Sequence, residues 1–120
     1  MILDTRSKII SAAEAEQRLQ AEPELLALHA DLDPVYAPHA EALQSFQRPL
    51  LILLAEKPDA YLSLQARAEM AASLACVRYV VTQPLATAAA KDLRPQEASW
   101  RAGLEKVVLH KSAIPERKAT

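Results

Sequence analysis

Leu28-His-Ala-Asp-Leu-Asp-Pro-Val-Tyr-Ala-Pro-His-Ala-Glu-Ala-Leu43 is the stretch on which the rest of the chain turns. An apolar run ends, two aspartates and a proline mark a turn, and Ala40, Leu43 and Phe46 then keep helical spacing. A strand entering a helix through such a turn presents backbone N–H groups to an anion. Close approach of backbone to phosphate favours glycine, yet the single glycine of the chain, Gly103, lies far from this turn. The stretch therefore points to a fold more than to an activity.

Working outward, Leu25-Leu-Ala-Leu-His-Ala30 suits a buried strand or a helix, because leucine and alanine serve both. Leu50-Leu-Ile-Leu-Leu-Ala55, bounded by Pro49 and by Glu56-Lys-Pro-Asp59, and the β-branched, aromatic Val77-Arg-Tyr-Val-Val-Thr82 are better strands. Between them Leu64, Ala68, Ala71 and Ala75 keep helical spacing. Ser11-Ala-Ala-Glu14 has the spacing of a capping box and starts a helix that runs to about Gln20. Trp100, Leu104, Val107 and Val108 give the last helix an apolar face for the sheet or a second subunit. The alanine patch at 86–90 reads as helix or linker, and beyond Lys111 the chain has no period and reads as a loose tail.

Strands alternating with helices imply βαβ units and parallel pairing. The expected fold is a small α/β, Rossmann-like, three-layer domain with three parallel strands. The turn-bearing strand is expected at the centre, with Leu50–Ala55 and Val77–Val81 on either side. The chain divides into a lead-in helix at 1–24, a βαβαβ core at 25–82, a linker and C-terminal helix at 83–111, and the tail at 112–120. Reading the leucine runs as helices gives the alternative, an all-helical scaffold.

With 120 residues, 51% of them hydrophobic and 24% charged, one globular domain is expected. A net charge of -1 with scattered Lys and Arg offers no broad surface for a nucleic acid. Cys76, the one cysteine, sits among apolar residues and reads as a small packed hydrophobe. The N-terminus has early charges and no signal-peptide core, and no apolar run is long enough to span a bilayer. A cytoplasmic protein away from membranes is the expectation.

At Leu28–Leu43, and again at Ala60-Tyr-Leu-Ser-Leu-Gln-Ala-Arg-Ala-Glu-Met-Ala-Ala-Ser-Leu-Ala-Cys-Val-Arg-Tyr-Val-Val81, the chain resembles the cytidylyltransferase-like nucleotidyltransferases. The heptose-phosphate adenylyltransferase and glycerol-phosphate cytidylyltransferase branch is nearest. The opening Asp4–Glu16 is similar to that family's lead-in helix, so the likeness covers roughly residues 1–85. The family motif, Gly-x-Phe-Asp-x-x-His-x-Gly-His, stabilises charge on the α-phosphate during transfer, by positioning and electrostatics without a covalent nucleophile. Laid onto this chain, the first Gly falls on Ala30, the Phe on Leu32, the Asp on Asp33, the first His on Tyr36, the second Gly on Pro38 and the second His on His39. Asp33 and His39 alone match.

The departures have chemical consequences. Tyr36 can donate a hydrogen bond, but with a reference pKa of about 10 it cannot become a cation. Pro38 suits the first turn of a helix but lacks an N–H for a phosphate and adds a ring where glycine leaves space. A pocket filled by these side chains is the expectation. The family's late Ser/Thr-rich closing segment has no counterpart after Val81, and the strand expected after Leu93-Arg-Pro95 is missing. Arg67 matches an arginine common in the family's helix before the third strand; read without the family, it is a solvated helix charge beside Glu69.

His29, His39 and His110 have no metal-ligand spacing, so no metal site is expected. His29 reads as a core or edge histidine; His39, at the helix start, is an anion contact or simply exposed. Alternation places Asp31 and Asp33 on one face, as a paired-carboxylate site for Mg²⁺ or acid–base work, or as capping and solvated loop residues. The residual catalytic candidates are His39 and Asp33, and the nucleotide-binding candidates are Ala30, Asp31, Tyr36, His39 and Arg67. The leading expectation is a degenerate nucleotidyltransferase-like domain without transferase activity, a homodimer that binds a protein partner or a nucleotide. Its rival is an active enzyme using Mg²⁺ and a nucleoside triphosphate on a small phosphorylated or alcohol substrate.

Overall fold

Leu50-Leu-Ile-Leu53 is buried along its whole length because it forms the middle strand of a sheet covered on both faces. The computed structural model of the chain describes residues 4–87 and 89–113, with side chains as far as residue 107. After a 3-10 turn at Thr5–Lys8, the elements are β1 (Ile9–Ile10), α1 (Ala12–Ala21), β2 (Leu26–His29), α2 (Ala37–Ser45), β3 (Leu50–Leu53), α3 (Leu64–Ala72), β4 (Val77–Val81), β5 (Lys91–Asp92) and α4 (Arg94–Ala113). All the strands are parallel, in the order β1-β4-β3-β2-β5. The fold is a small Rossmann-like α/β domain, and the five-stranded sheet excludes the all-helical alternative.

Two points of the expected topology are corrected. The sheet has five strands instead of three, because β1 and β5 are two-residue strands too short to carry a period-2 pattern. Of the three long strands, β3 and not the turn-bearing β2 is the middle one, with β2 between β3 and β5. The short outer strands limit the exposed pairing edge. Strand β5 lies just before Leu93-Arg-Pro95, and α4 begins six residues ahead of Trp100.

Period-2 alternation sorts each long strand between two cores. Leu26, Leu28, Leu50 and Ile52 face Leu43 of α2, Ala68 and Ala71 of α3, and the half-buried Trp100 of α4. Ala27, Leu51 and Leu53 face Ala15 and Leu19 of α1. The register of β3 against β4 shifts between Leu50↔Val77 and Leu51↔Tyr79, leaving Arg78 as the extra residue of a bulge. The bulge lets Val77 and Val80, three apart, fill the same core, while Tyr79 and Val81 turn to the other.

Helix starts follow local chemistry. The Ser11 hydroxyl accepts from the Glu14 amide and the Ser63 hydroxyl from the Ala66 amide. Pro38 lies in the first turn of α2, after Tyr36. Among the described residues of 86–90 there is no helix. Helix α4 continues to Ala113, past the expected start of the tail; residues 114–120 and the side chains of Val108 and His110 lie outside the described residues.

Candidate functional site

In parallel α/β sheets ligands bind beyond the carboxyl ends of the strands, where the strand order reverses. Here that place is the crevice between β2 and β5. The Leu93 amide donates to the His29 carbonyl at 2.8 Å, so α4 starts directly beside the end of β2. A cleft of about 780 Å³ opens there, walled by the β2–α2 turn, the β3–α3 loop and one face of α4.

The turn carries a converging set of donors. Leu32 adopts a left-handed conformation, φ 51°, uncommon for a branched side chain. The amides of Asp31 and Leu32 both point at the carboxylate of Glu97, in the first turn of α4: Asp31 N–H donates to Oε1 at 2.7 Å and Leu32 N–H to Oε2 at 2.9 Å. His39 Nε2 lies 2.7 Å from the same Oε2. His39 Nδ1 accepts the Tyr36 amide at 3.3 Å, which leaves the hydrogen on Nε2 to be donated to Glu97. His39 and Glu97 are 2% and 6% exposed, so this three-donor hole is closed to solvent by the chain's own carboxylate.

The other sequence candidates fall into distinct places. Ala30 is buried, its amide donating to the Leu53 carbonyl. Arg67, instead of a solvated charge, is fully buried below the turn. Its Nη1 donates to the Asp31 carbonyl at 3.1 Å and its Nη2 to the Ala55 carbonyl at 2.8 Å, tying the ends of β2 and β3 together. The Asp33 carboxylate accepts the Tyr61 and Leu62 amides, both at 2.8 Å, and meets Arg101 at 3.4 Å. Asp33 thus holds the β3–α3 loop, and the paired-carboxylate reading with Asp31 is not what the geometry builds. The Asp31 carboxylate takes no hydrogen bond among the described residues; burial, then the nearby Glu97 carboxylate, pushes its pKa up. The Tyr36 hydroxyl is buried without a partner among the described residues, and burial followed by Glu97 raises its pKa as well. His29 is half-buried on β2, and Cys76 packs half-buried against the core.

Sequence reasoning missed Glu97, Tyr61 and Arg101. An acid near a proline in a first turn is an ordinary helix-start signal, so nothing local marks Glu97 as part of a site. The Arg101 guanidinium lies 4.2 Å from the centre of the Tyr61 ring, and the Tyr61 hydroxyl donates to Glu105 at 2.6 Å, clasping the β3–α3 loop to α4. Tyr61 and then Arg101 hold the Glu105 carboxyl below its ordinary range.

The expected filling by Tyr36 and Pro38 is therefore corrected: the donors of the turn are met by the Glu97 carboxylate, while the cleft beside them stays open. Around the cleft stand Asp31, Asp33, Asp59, Glu97 and Glu105 against Lys57 and Arg101. A polyanion entering such a wall meets an unfavourable field. Among the described residues no three of His, Cys, Asp and Glu converge on a metal position. No family model matches the chain, and no curated protein matches it. No helix among the described residues is long and apolar enough to cross a membrane.

Proposed function

We propose that this chain is a degenerate nucleotidyltransferase-like domain that transfers no nucleotidyl group and works as a binding module through the cleft beside α4. The observation that carries the reading is the state of His39: the histidine matching the family motif is turned into the domain and bonded to Glu97, so its Nε2 is withheld from any ligand. Transfer of a nucleotidyl group needs donors aimed at the charge that develops on phosphate. Here the two turn amides and the imidazole already meet a carboxylate. The carboxylate-rich wall favours a neutral or cationic group, from a small molecule or a protein partner, over a triphosphate. Leu104 and Val107 stay exposed on α4, which supports the expected homodimer.

The test is calorimetric titration of the purified protein with ATP and with CTP in the presence of Mg²⁺, alongside a pyrophosphate-release assay. Neither nucleotide is expected to give heat or product. Turnover that disappears in His39→Ala would establish the rival, an active nucleotidyltransferase. Analytical ultracentrifugation at micromolar concentration is expected to give a dimer, and a monomer there removes that part of the reading.

A further inference from the structure

We infer that the hole formed by the Asp31 amide, the Leu32 amide and His39 is an oxyanion-binding site in which Glu97 acts as a tethered, self-supplied ligand. The inference rests on the reading above and specifies how the site is regulated: access of an external phosphate is set by α4.

Three features support it. The donors are arranged for an anion and not for a neutral acceptor, since both carboxylate oxygens are engaged at 2.7–2.9 Å. The left-handed Leu32 turns two successive amides toward one point, the geometry of an anion-binding nest. Glu97 reaches the hole from a different element, over a sequence separation of 65 residues from Leu32, so the contact is not a local capping habit. Its backbone is fixed independently, because its own amide donates to the Leu93 carbonyl at 3.0 Å. A carboxylate delivered in this way carries no association entropy cost and outcompetes free anions at ordinary concentrations.

Removing the carboxylate while leaving the donors should therefore create a site for inorganic phosphate. The experiment compares wild-type protein with Glu97→Ala, following the Asp31 and Leu32 amide resonances during titration with inorganic phosphate and, separately, acetate. In the wild type these resonances should stay unmoved at millimolar anion. In Glu97→Ala they should shift saturably, with phosphate bound at least about tenfold tighter than by wild type. Acetate, a detached copy of the lost group, should produce the same pattern of shifts. A folded Glu97→Ala protein whose two amides ignore both anions overturns the inference, as does a wild type that responds equally. Should Glu97→Ala not fold alone, Glu97→Ser is used, and a melting temperature raised by phosphate in the variant but not in the wild type is the expected result; no rise overturns it. Nucleotide turnover by the wild type would refute the functional reading instead, and is read by pyrophosphate release, separately from the anion-induced amide shifts.

Discussion

Replacing Arg67 by methionine removes two donors from the centre of the domain while keeping most of the aliphatic volume. Arg67 is fully buried, and its two Nη groups bond the carbonyls of Asp31 and Ala55, beyond the ends of neighbouring strands. A hydrogen bond from a charged group contributes about 1.5–3 kcal/mol, so two lost bonds amount to roughly 3–6 kcal/mol. Part is offset, because the guanidinium is desolvated and its Nε has no partner among the described residues; relief of that group returns about 1–2 kcal/mol. The expected net loss is about 2–4 kcal/mol, a drop in melting temperature of about 10 °C for a domain of this size. Urea unfolding should show a lower midpoint with an unchanged slope. Because the Arg67 charge, with those of Lys57 and Arg94, pulls the Asp31 pKa down against burial and Glu97, Arg67→Met should also move the Asp31 titration further up. Stability within about 0.5 kcal/mol of wild type would return Arg67 to an ordinary helix charge and refute the reasoning.

Tyr36→Phe removes a buried hydroxyl that has no partner among the described residues, so chemical denaturation should find the variant more stable by about 1 kcal/mol; a loss of that size would mean the hydroxyl is satisfied. Burial and Glu97 hold the Asp31 pKa above its ordinary value. The folded state then favours the protonated acid, a contribution present below the unfolded pKa near 4 and lost as pH rises through the raised folded value. Asp31→Asn should accordingly melt higher than wild type at pH 7, with the gap closing as pH falls to about 4; a gap that does not vary with pH would show that the Asp31 charge carries no such penalty.

Two of the three long strands and the four helices are legible because each rests on a local signal, whereas Leu26–His29, built of leucine and alanine that serve helix and strand alike, is settled only by its place in the sheet. Leu50–Leu53 is a continuous apolar run, as a strand buried on both faces requires, and Ser11 and Ser63 each accept an amide in the first turn that follows. The two edge strands were not legible. Ile9–Ile10 and Lys91–Asp92 are too short for periodicity and become strands only because β4 and β2 offer unpaired edges beside them. Strand order was not read from the sequence for a related reason: Leu26, Leu50 and Val77 each start a largely apolar strand, and which one lies in the middle depends on crossover geometry.

The chain alone determined the four helices, the strands at Leu50–Leu53 and Val77–Val81 and the turn at Asp31–Tyr36, because propensity, capping and hydrophobic period act over a few residues. It also sets at that turn Tyr36, which cannot become a cation, and Pro38, which has no backbone N–H to offer. Tertiary structure alone decided what surrounds them. Arg67 became a buried tie and Asp33 a loop anchor, and Glu97, 58 residues from His39, was brought to 2.7 Å from it by the pairing of β5 with β2. A contact of that sequence separation leaves no local trace, since nothing near Glu97 differs from an ordinary helix start until the sheet sets the turn and α4 side by side.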